Sequence, residues 1–260
     1  MDSVNKTLYI PLYGKAYVSR KGILLNDPEA EKIWEKTGFS LKGKSASKWL
    51  AYHMGMRAAV FDNWVREKME AHPDAVILHL GCGLDSRVLR VKAEGRTWLD
   101  LDVLPVIRQR KRFFSEEKGY RMVAADLRED AWMQEIPAGG RAIVVMEGLS
   151  MYFHPEALEK LLRSLTSHFS DVYLLMDVYT TFGAKASRYQ NPIHDVGVTR
   201  VYGVDDPRLL ANQTGLRYVA EHALTPLPMI AQLTPGERIV FCNLFAGRFA
   251  RKLYRLYEFA

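Results

Sequence analysis

The chain has 260 residues, of which 48% are hydrophobic and 25% charged, and its formal net charge is +6. This is a globular composition with room for one large α/β domain and a small extension, and it excludes a low-complexity chain. No apolar run reaches the roughly 18 residues of a membrane span. The N-terminus lacks the apolar stretch of a signal peptide.

Cysteine content and charge limit the compartment, metal and binding partners that we expect for this protein. Cys82 and Cys242 are too few for a disulfide framework and form no Cys-x-x-Cys pair, so we expect a cytoplasmic protein without structural zinc. The densest basic run, 108–112, is predicted to be the solvated face of a helix. We expect a small-molecule partner and neither nucleic acid nor membrane, and the oligomeric state is left open.

The N-terminal part of the chain is predicted to be helical. Asp27, followed by proline, is typical of a helix start, and Gly38 is typical of its end. A longer helix is predicted over 47–71, and Arg57 falls on its apolar stripe. A charge there is costly unless paired, so Arg57 is expected either to pair with an acid or to bind an anionic ligand. Residues 1–72 are predicted to be an N-terminal helical extension or cap.

After this extension, short apolar runs alternate with segments of helical periodicity, such as 155–169. Continuous apolar runs indicate strands buried on both faces, and their alternation with helices predicts a parallel, doubly wound sheet. Five such apolar runs occur, at residues 76–80, 97–101, 122–125, 142–146 and 172–176.

The C-terminal part of the chain is less regular. Two late strands are predicted over 216–221 and 238–244, with an antiparallel pairing left open. The tail, 248–255, mixes basic and apolar side chains, so it is predicted to be an amphipathic helix packed on the domain, with membrane-surface binding as the alternative. Residues 73–260 form the predicted core, with a cap insertion over about 179–213.

The first of these strands ends in a glycine turn, Gly81-Cys82-Gly83. Such glycines let a ligand approach the backbone, and the helix that follows offers free N–H groups. A dinucleotide site would have a third glycine where Ser86 stands, and Asp85 would face its pyrophosphate. A cationic sulfonium and an amino group tolerate that acid, so the turn favours S-adenosylmethionine over NAD.

Acidic residues follow the next strands at their carboxyl ends. Asp102 comes about 20 residues after the turn, where a carboxylate can accept hydrogen bonds from ribose hydroxyls; capping the next helix is the alternative. Asp126 can accept the adenine amino group, with Leu127 beside the base, and Glu147 projects into the crevice. Each acid alone could be structural, but their joint placement at one sheet edge favours a cofactor crevice.

Two longer motifs resemble those of a known protein family. The runs Gly81-Cys82-Gly83-Leu84-Asp85-Ser86-Arg87 and Glu147-Gly148-Leu149-Ser150-Met151-Tyr152 are the more specific matches. On these, the chain resembles the leucine carboxyl methyltransferase family, and within it the bacterial branch of polyketide O-methyltransferases. The resemblance extends to about Asp177. It implies a class I methyltransferase, with a Rossmann-like, mostly parallel seven-stranded sheet, helices on both faces, and S-adenosylmethionine as cofactor.

The resemblance also implies a role for each matching residue. Its cofactor-binding positions are Lys15 and Arg57 for the carboxylate, Gly81 and Gly83 for the methionine part, Asp102 for ribose, Asp126 and Leu127 for adenine, and Glu147 for the amino group. The catalytic candidates are Tyr152, near the point of methyl transfer, and Arg57, which could hold the acceptor group.

The sequence therefore predicts an S-adenosylmethionine-dependent O-methyltransferase acting on a hydroxyl or carboxyl group of a small, polyketide-like molecule. Methylation of a protein C-terminal carboxylate is the alternative, and a non-catalytic cofactor-binding protein is a third hypothesis. The chemistry demands no metal. A carboxylate acceptor needs only cationic holders such as Arg57, Arg20 or Lys15. A phenol would benefit from a general base, for which His154 and His194 are candidates.

Overall fold

In the computed structural model, residues 7–187 and 200–260 are described, and three helices precede the first strand. The helices are α1 (Tyr9–Arg20), α2 (Pro28–Thr37), α3 (Lys48–Ala71), α4 (Arg87–Arg90), α5 (Leu104–Arg110), α6 (Pro155–His168), α7 (Thr181–Ala186), α8 (Pro207–Thr214), α9 (Leu227–Ile230), α10 (Pro235–Phe241) and α11 (Arg248–Leu253). The strands are β1 (Val76–Leu80), β2 (Trp98–Asp102), β3 (Tyr120–Ala124), β4 (Arg141–Met146), β5 (Asp171–Tyr179), β6 (Tyr218–His222) and β7 (Tyr254–Phe259).

The strands form one seven-stranded sheet in the order β3-β2-β1-β4-β5-β7-β6. The first five strands are parallel, and β7 runs antiparallel to both β5 and β6. The chain order reverses between β1 and β4, where Leu80 lies beside Met146. Ligands bind outside the carboxyl ends of the strands at such a switch point. The glycine turn and Glu147 both follow these two strands, so the topology brings them to one edge.

Helices cover both faces of the sheet, as predicted. On one face, the leucine stripe of α6 packs against apolar side chains of β1, β4 and β5. On the other, the N-terminal helices and α5 enclose Phe61, Trp64 and Trp98. Burying such a side chain contributes about 1.5–3 kcal/mol, so the two clusters hold the sheet edge in place. Within the described residues, none of the helices is long and apolar enough to cross a membrane.

The predicted N-terminal helix boundaries are confirmed. Asp27 accepts a hydrogen bond from the Ala30 N–H at 2.9 Å, and α2 ends at Gly38 with φ of 61°. Ser47 caps the start of α3, which runs unbroken to Ala71. Local capping interactions set these helix ends, which is why the sequence predicts them correctly.

The predicted strand over 238–244 is wrong. Those residues lie in α10 and in the single π-helical turn 242–246 that follows it. A capping box between Thr234 and Glu237 starts α10 and overrides the local apolar run. In that run, Phe241 is buried while Ile239 is exposed, which is a helical burial pattern.

The helix predicted over 248–255 is confirmed for Arg248–Leu253. The seventh strand, Tyr254–Phe259, follows it directly and takes its last two predicted residues. The pairing direction that the sequence left open is antiparallel. The partner of β6 is β7 and not the segment 238–244. Leu256 and Phe259 become buried by this pairing.

The basic run 108–112 is not uniformly solvated, because Arg110 is fully buried. Its guanidinium pairs with Asp100 of β2 and donates to the Gly83 carbonyl oxygen at 3.2 Å. Arg108, two residues earlier on the same helix, is exposed. Arg110 therefore supports the glycine turn through the Gly83 carbonyl oxygen. The charge pattern of the sequence alone does not predict this contact.

Arg110→Ala should destabilise the fold by about 3–5 kcal/mol, because it leaves the buried Asp100 carboxylate without its partner cation. Arg108→Ala is the matched control and should change the free energy of unfolding by less than about 0.5 kcal/mol. Urea unfolding of both variants measures this difference. Equal stabilities would contradict a structural role for the buried pair.

Candidate active site

A cavity of about 1350 Å³ opens at the carboxyl edge of the sheet. Single-ligand pockets usually measure about 300–1,000 Å³, so this one has room for two molecules side by side. Its wall combines the ends of β1, β2, β4 and β5 with α1, α3, α7 and the segment between β6 and β7.

The glycine turn forms one side of this cavity. Gly81 and Gly83 have φ of +67° and +53°, in the left-handed region that favours glycine. A Cβ at Gly81 would lie 2.8 Å from Leu149 Cδ1, so a side chain there would also force Leu149 to move. The bare backbone leaves this part of the wall open to a ligand.

Asp102 fixes the turn and lines the cavity at the same time. Its Oδ2 accepts from the Gly83 N–H and its Oδ1 from the Val103 N–H, each at 2.8 Å. Burial raises the pKa of Asp102, and the two backbone N–H groups oppose this. The alternative prediction, that Asp102 caps the next helix, is wrong, because α5 has Val103 at its N-cap and no side-chain cap. A carboxylate has about four acceptor positions, so the two backbone hydrogen bonds leave capacity for a ribose.

Lys15 and Asp85 form a buried ion pair on the same wall, with Nζ and Oδ2 2.9 Å apart. Asp85 also accepts from Arg90 at 2.6 Å. Burial disfavours its charge, but Arg90 and Lys15 outweigh this and hold its pKa well below the usual range. Asp85 is therefore not the uncompensated acid that its sequence position suggested, and the preference for a sulfonium cofactor needs other support.

Arg57 pairs with acids, as one of its two predicted readings required, and it also lines the cavity. Its Nε lies 3.0 Å from Glu147 Oε1, and its Nη1 lies 3.0 Å from both Asp177 Oδ2 and the Tyr254 hydroxyl. Although burial opposes ionisation of Glu147, Arg57 and Arg87 lower its pKa to about 2. Glu147 is thus a fixed negative charge at the end of β4.

Arg87 connects this group to the N-terminal helices. It is fully buried, donates to Asp62 of α3 at 2.8 Å, and pairs with Glu147. Its Nη1 also lies 3.1 Å from His79 Nε2. Arg87 ends the glycine-turn motif, but no sequence signal indicated that it would meet Asp62.

Tyr152 lines the cavity, which agrees with its predicted position near the reaction centre. Burial raises the pKa of its phenol to about 12. Its hydroxyl therefore stays protonated at neutral pH and can donate a hydrogen bond, but it is not a base.

Two predicted adenine contacts lie away from the cavity wall. Asp126 is exposed, and Arg128 donates to it from Nε at 2.8 Å. Leu127 is 7% exposed and packs in the core cluster beside Trp132. Neither is among the cavity-lining residues, so their contact with adenine stays a prediction.

His154 and Arg20, two of the residues proposed for the acceptor, also lie away from the cavity wall. The His154 side chain is 54% exposed and lies 3.9 Å from Glu156, outside the cavity wall. Arg20 pairs with Glu31 and Glu35 at the surface. His194 lies outside the described residues.

His53 is a cavity residue that the sequence reasoning missed. It is 8% exposed, stacks on Phe245 with ring centroids 5.0 Å apart, and has no hydrogen-bond partner for Nδ1 among the described residues. Burial, helped by Arg57, lowers its pKa to about 3, so the ring is neutral. The available signal was its position four residues before Arg57, on the same helix face.

The rest of the cavity wall includes a group of aromatic side chains, together with charged ones such as Lys44, Glu221 and Arg255. Tyr179 and Tyr254 pack at 4.9 Å between ring centroids. The other large aromatic side chains on this wall are Trp49, Tyr152, Phe245 and Phe249. The cavity therefore has a polar end at the glycine turn and an aromatic end beyond Arg57 and Glu147.

The polar end fits S-adenosylmethionine. Asp102 retains acceptor capacity for a diol, Glu147 is an anion suited to an amino group, and Lys15 and Arg57 are cations suited to a carboxylate. The turn at Gly81 and Gly83 leaves room for the chain that joins these groups.

Comparison with known proteins decides the family. Residues 11–166 match leucine carboxyl methyltransferase. The chain belongs to the leucine carboxyl methyltransferase family. It is 30% identical to the tetracenomycin polyketide synthesis O-methyltransferase TcmP of Streptomyces glaucescens, over 98% of this chain and 97% of TcmP. It is also 30% identical to the S-adenosyl-L-methionine-dependent methyltransferase dpfgK of Gibberella zeae, over 84% of this chain and 81% of that one.

The fold has relatives among solved structures. Magnesium protoporphyrin IX methyltransferase from Synechocystis PCC 6803, solved with bound SAH, superposes with a TM-score of 0.53. It shares 12% sequence identity, with 88% of this chain and 92% of that chain covered. The predicted family, the methyltransferase fold and the S-adenosylmethionine-dependent enzyme class are confirmed.

Asp102→Ala should weaken binding of S-adenosylmethionine. A hydrogen bond to a carboxylate is worth about 1.5–3 kcal/mol, which corresponds to a roughly 10- to 150-fold rise in Kd. Calorimetric titration of the folded variant measures this. Asp130→Ala, which removes an exposed acid paired with Lys160, is the control and should bind as the wild type does. An unchanged Kd for Asp102→Ala would remove Asp102 from the cofactor site.

Proposed function

We propose that this protein transfers the methyl group of S-adenosylmethionine to an oxygen atom of a small, polyketide-like aromatic molecule. The observation that carries the proposal is the two-ended cavity, which is polar at the glycine turn and aromatic beyond it. Its volume exceeds that of ordinary single-ligand pockets, of about 300–1,000 Å³, so a flat multi-ring acceptor can lie beside the cofactor. The relationship to TcmP over nearly the whole chain supports the same substrate class.

The enzyme's contribution is mainly alignment. When bound, the cofactor supplies an electrophilic methyl group on a sulfonium, and transfer is an in-line displacement that needs accurate positioning. Lys15 and Arg57 hold the carboxylate, Glu147 holds the amino group, and Asp102 holds the ribose. Arg57 is itself held by Asp177 and the Tyr254 hydroxyl, so it presents a fixed geometry.

Residues above the sheet edge enclose the reaction. We assign residues 1–72 to an extension whose helices α1 and α3 close the cavity from one side. The helices between β6 and β7 close it from another, through Phe245 and Phe249. A closed site excludes water, which strengthens the electrostatic contacts inside. Tyr152 lies on this wall and donates its protonated hydroxyl toward the bound molecules.

Three further assignments belong to this proposal. Asp126 and Leu127 contact adenine, which requires Asp126 to leave Arg128 when the cofactor binds. This movement is cheap because the pair is exposed, and exposed pairs contribute only about 0–1 kcal/mol. The insertion over about 179–213 contributes to the acceptor wall through α7, where Gly183 and Ser187 line the cavity.

Methyl-labelled S-adenosylmethionine distinguishes the proposed acceptors. The probes are a hydroxyanthraquinone, an anthraquinone carboxylic acid, and a leucine-terminated peptide with a free or an amidated C-terminus. We expect label on an anthraquinone oxygen and none on either peptide, because the aromatic wall suits flat rings. Asp130→Ala is the activity control. Label on the free peptide alone would instead favour protein carboxyl methylation.

A further inference from the structure

We propose that Tyr254 is a positioning residue for both ligands: its hydroxyl aims Arg57 at the carboxylate of the cofactor, and its ring forms part of the seat for the acceptor. The inference rests on the proposed function, and it adds a residue from the last strand of the chain to the site. Tyr254 lies outside residues 11–166, the part of the chain that matches the family.

The sheet topology brings Tyr254 to the cofactor edge. It is the first residue of β7, and it pairs with Tyr179, the last residue of β5. Because β7 runs antiparallel to β5, the start of β7 lies where the parallel strands end. Tyr254 lines the cavity at this place. A residue from the end of the sequence thus reaches the same edge as the glycine turn.

The hydrogen bonds of Arg57 are the observation that carries the proposal. A guanidinium has five N–H donors. Arg57 donates from Nε to Glu147 at 3.0 Å, and from Nη1 to both Asp177 Oδ2 and the Tyr254 hydroxyl, each at 3.0 Å. Within the part of the chain that the structure describes, Nη2 donates to no protein group. The protein therefore occupies three donors and leaves the two on Nη2 for a ligand.

Nη2 lies beside the bare backbone of Gly148 at the cavity wall. Gly148 lines the cavity and has φ of +67°, in the region that favours glycine. A Cβ at this position would lie 3.3 Å from Arg57 Nη2. Its absence leaves room on that side of the guanidinium, so both N–H groups of Nη2 can donate to a carboxylate.

The Tyr254 hydroxyl completes the alignment of Arg57. It donates to Asp177 and accepts from Arg57 Nη1. Burial and the neighbouring charge of Asp177 raise the pKa of this phenol well above its usual value, so it keeps the proton that it donates. The Gly148 N–H holds Asp177 in turn, at 2.7 Å from Oδ1. Without the hydroxyl, Nη1 loses one of its two partners, and the direction of Nη2 is less well fixed.

The other cations on the cavity wall are either paired or exposed. Lys15 and Arg255 each form an ion pair at 2.9 Å, whereas Lys44 and Arg251 are exposed. Arg57 alone among these five, all of them described residues, combines a buried side chain with two N–H donors beside bare backbone. Its orientation should therefore have a large effect on a bound carboxylate.

The ring of Tyr254 belongs to the aromatic end of the cavity. Its centroid lies 4.9 Å from that of Tyr179 and 6.2 Å from that of His53. A flat acceptor bound at this end can pack against the ring while the hydroxyl stays with Arg57 and Asp177. One side chain thus serves the cofactor through its oxygen and the acceptor through its ring.

Tyr254→Phe removes the hydroxyl and keeps the ring. Calorimetric titrations compare S-adenosylmethionine with its decarboxylated form, which lacks only the carboxylate. We expect Kd for S-adenosylmethionine to rise roughly 3- to 10-fold, as for one weakened hydrogen bond, and Kd for the decarboxylated form to change by less than about twofold. A general loss of structure would weaken both ligands alike, so the difference between them reports the positioning role.

Two further variants complete the comparison. Tyr218→Phe is the matched control, because it removes a phenol hydroxyl of β6 outside the cavity wall, and it should bind both ligands as the wild type does. Asp177→Asn alters the same tether from its other side and should show the same difference between the two ligands as Tyr254→Phe. Urea unfolding of each variant shows which of them are folded, and either tether variant suffices for the test.

Tyr254→Leu removes the ring as well as the hydroxyl. With the anthraquinone probe that the wild type methylates, KM for the probe should change by less than about twofold in Tyr254→Phe and rise roughly 5- to 10-fold in Tyr254→Leu, because only the second change removes the aromatic contact. Steady-state kinetics at saturating S-adenosylmethionine measure this split.

The outcomes separate this assignment from the proposed function. A wild type that methylates a probe while the folded tether variants weaken both cofactor forms equally, or neither, overturns the assignment and leaves the function intact. So does a wild type that binds the two forms equally well, or a KM for the probe that rises equally in Tyr254→Phe and Tyr254→Leu. A wild type that binds the cofactor and methylates neither probe contradicts the proposed function, while the titrations still decide the role of the hydroxyl.

Discussion

The buried guanidinium of Arg87 is the interaction on which the site depends. It lies just after the glycine turn, on the short helix α4, and it reaches Asp62 of α3, His79 of β1 and Glu147 after β4. Ions buried in this way are tolerated only when their partners are in place, and losing one partner costs about 3–5 kcal/mol. The turn, the long N-terminal helix and the anion at the sheet edge are therefore fixed relative to one another by a single side chain.

Arg90 extends the same network. It binds Asp62, Asp27 and Asp85, and Asp85 in turn pairs with Lys15. The helices before β1 are thus tied to the cofactor crevice by charge as well as by apolar packing. This explains why residues so far apart in sequence line the same cavity.

Much of this arrangement could be predicted, because local chemistry determines it. The caps of α2, the five parallel strands and the glycine turn follow from short patterns. Of the three acids predicted at the strand ends, Asp102 and Glu147 line the cavity, whereas Asp126 does not. The misassigned strand over 238–244 shows the limit of such patterns. Its apolar residues fit a strand or a helix equally well, and the capping box at Thr234 decided the outcome.

Long-range pairing was the part that the sequence could not supply. The basic neighbours of Arg110 predict a solvated side chain, but its contacts with Asp100 and the Gly83 carbonyl oxygen lie in the interior. Nothing near His53 in sequence marks it as a cavity residue. Only folding places it between Phe245 and Tyr254, which come from the other end of the chain.

The strand order also has a consequence for how the chain folds as it is synthesised. β7 lies between β5 and β6, so β6 has no neighbour to bond with until residues 254–259 have been made. The parallel half of the sheet and its glycine turn can assemble earlier, while β6 and the helices after it wait. Folding of the cofactor half should therefore precede closure of the acceptor half. A nascent chain would acquire its methyl-donor crevice before it acquires the walls that shield it from water.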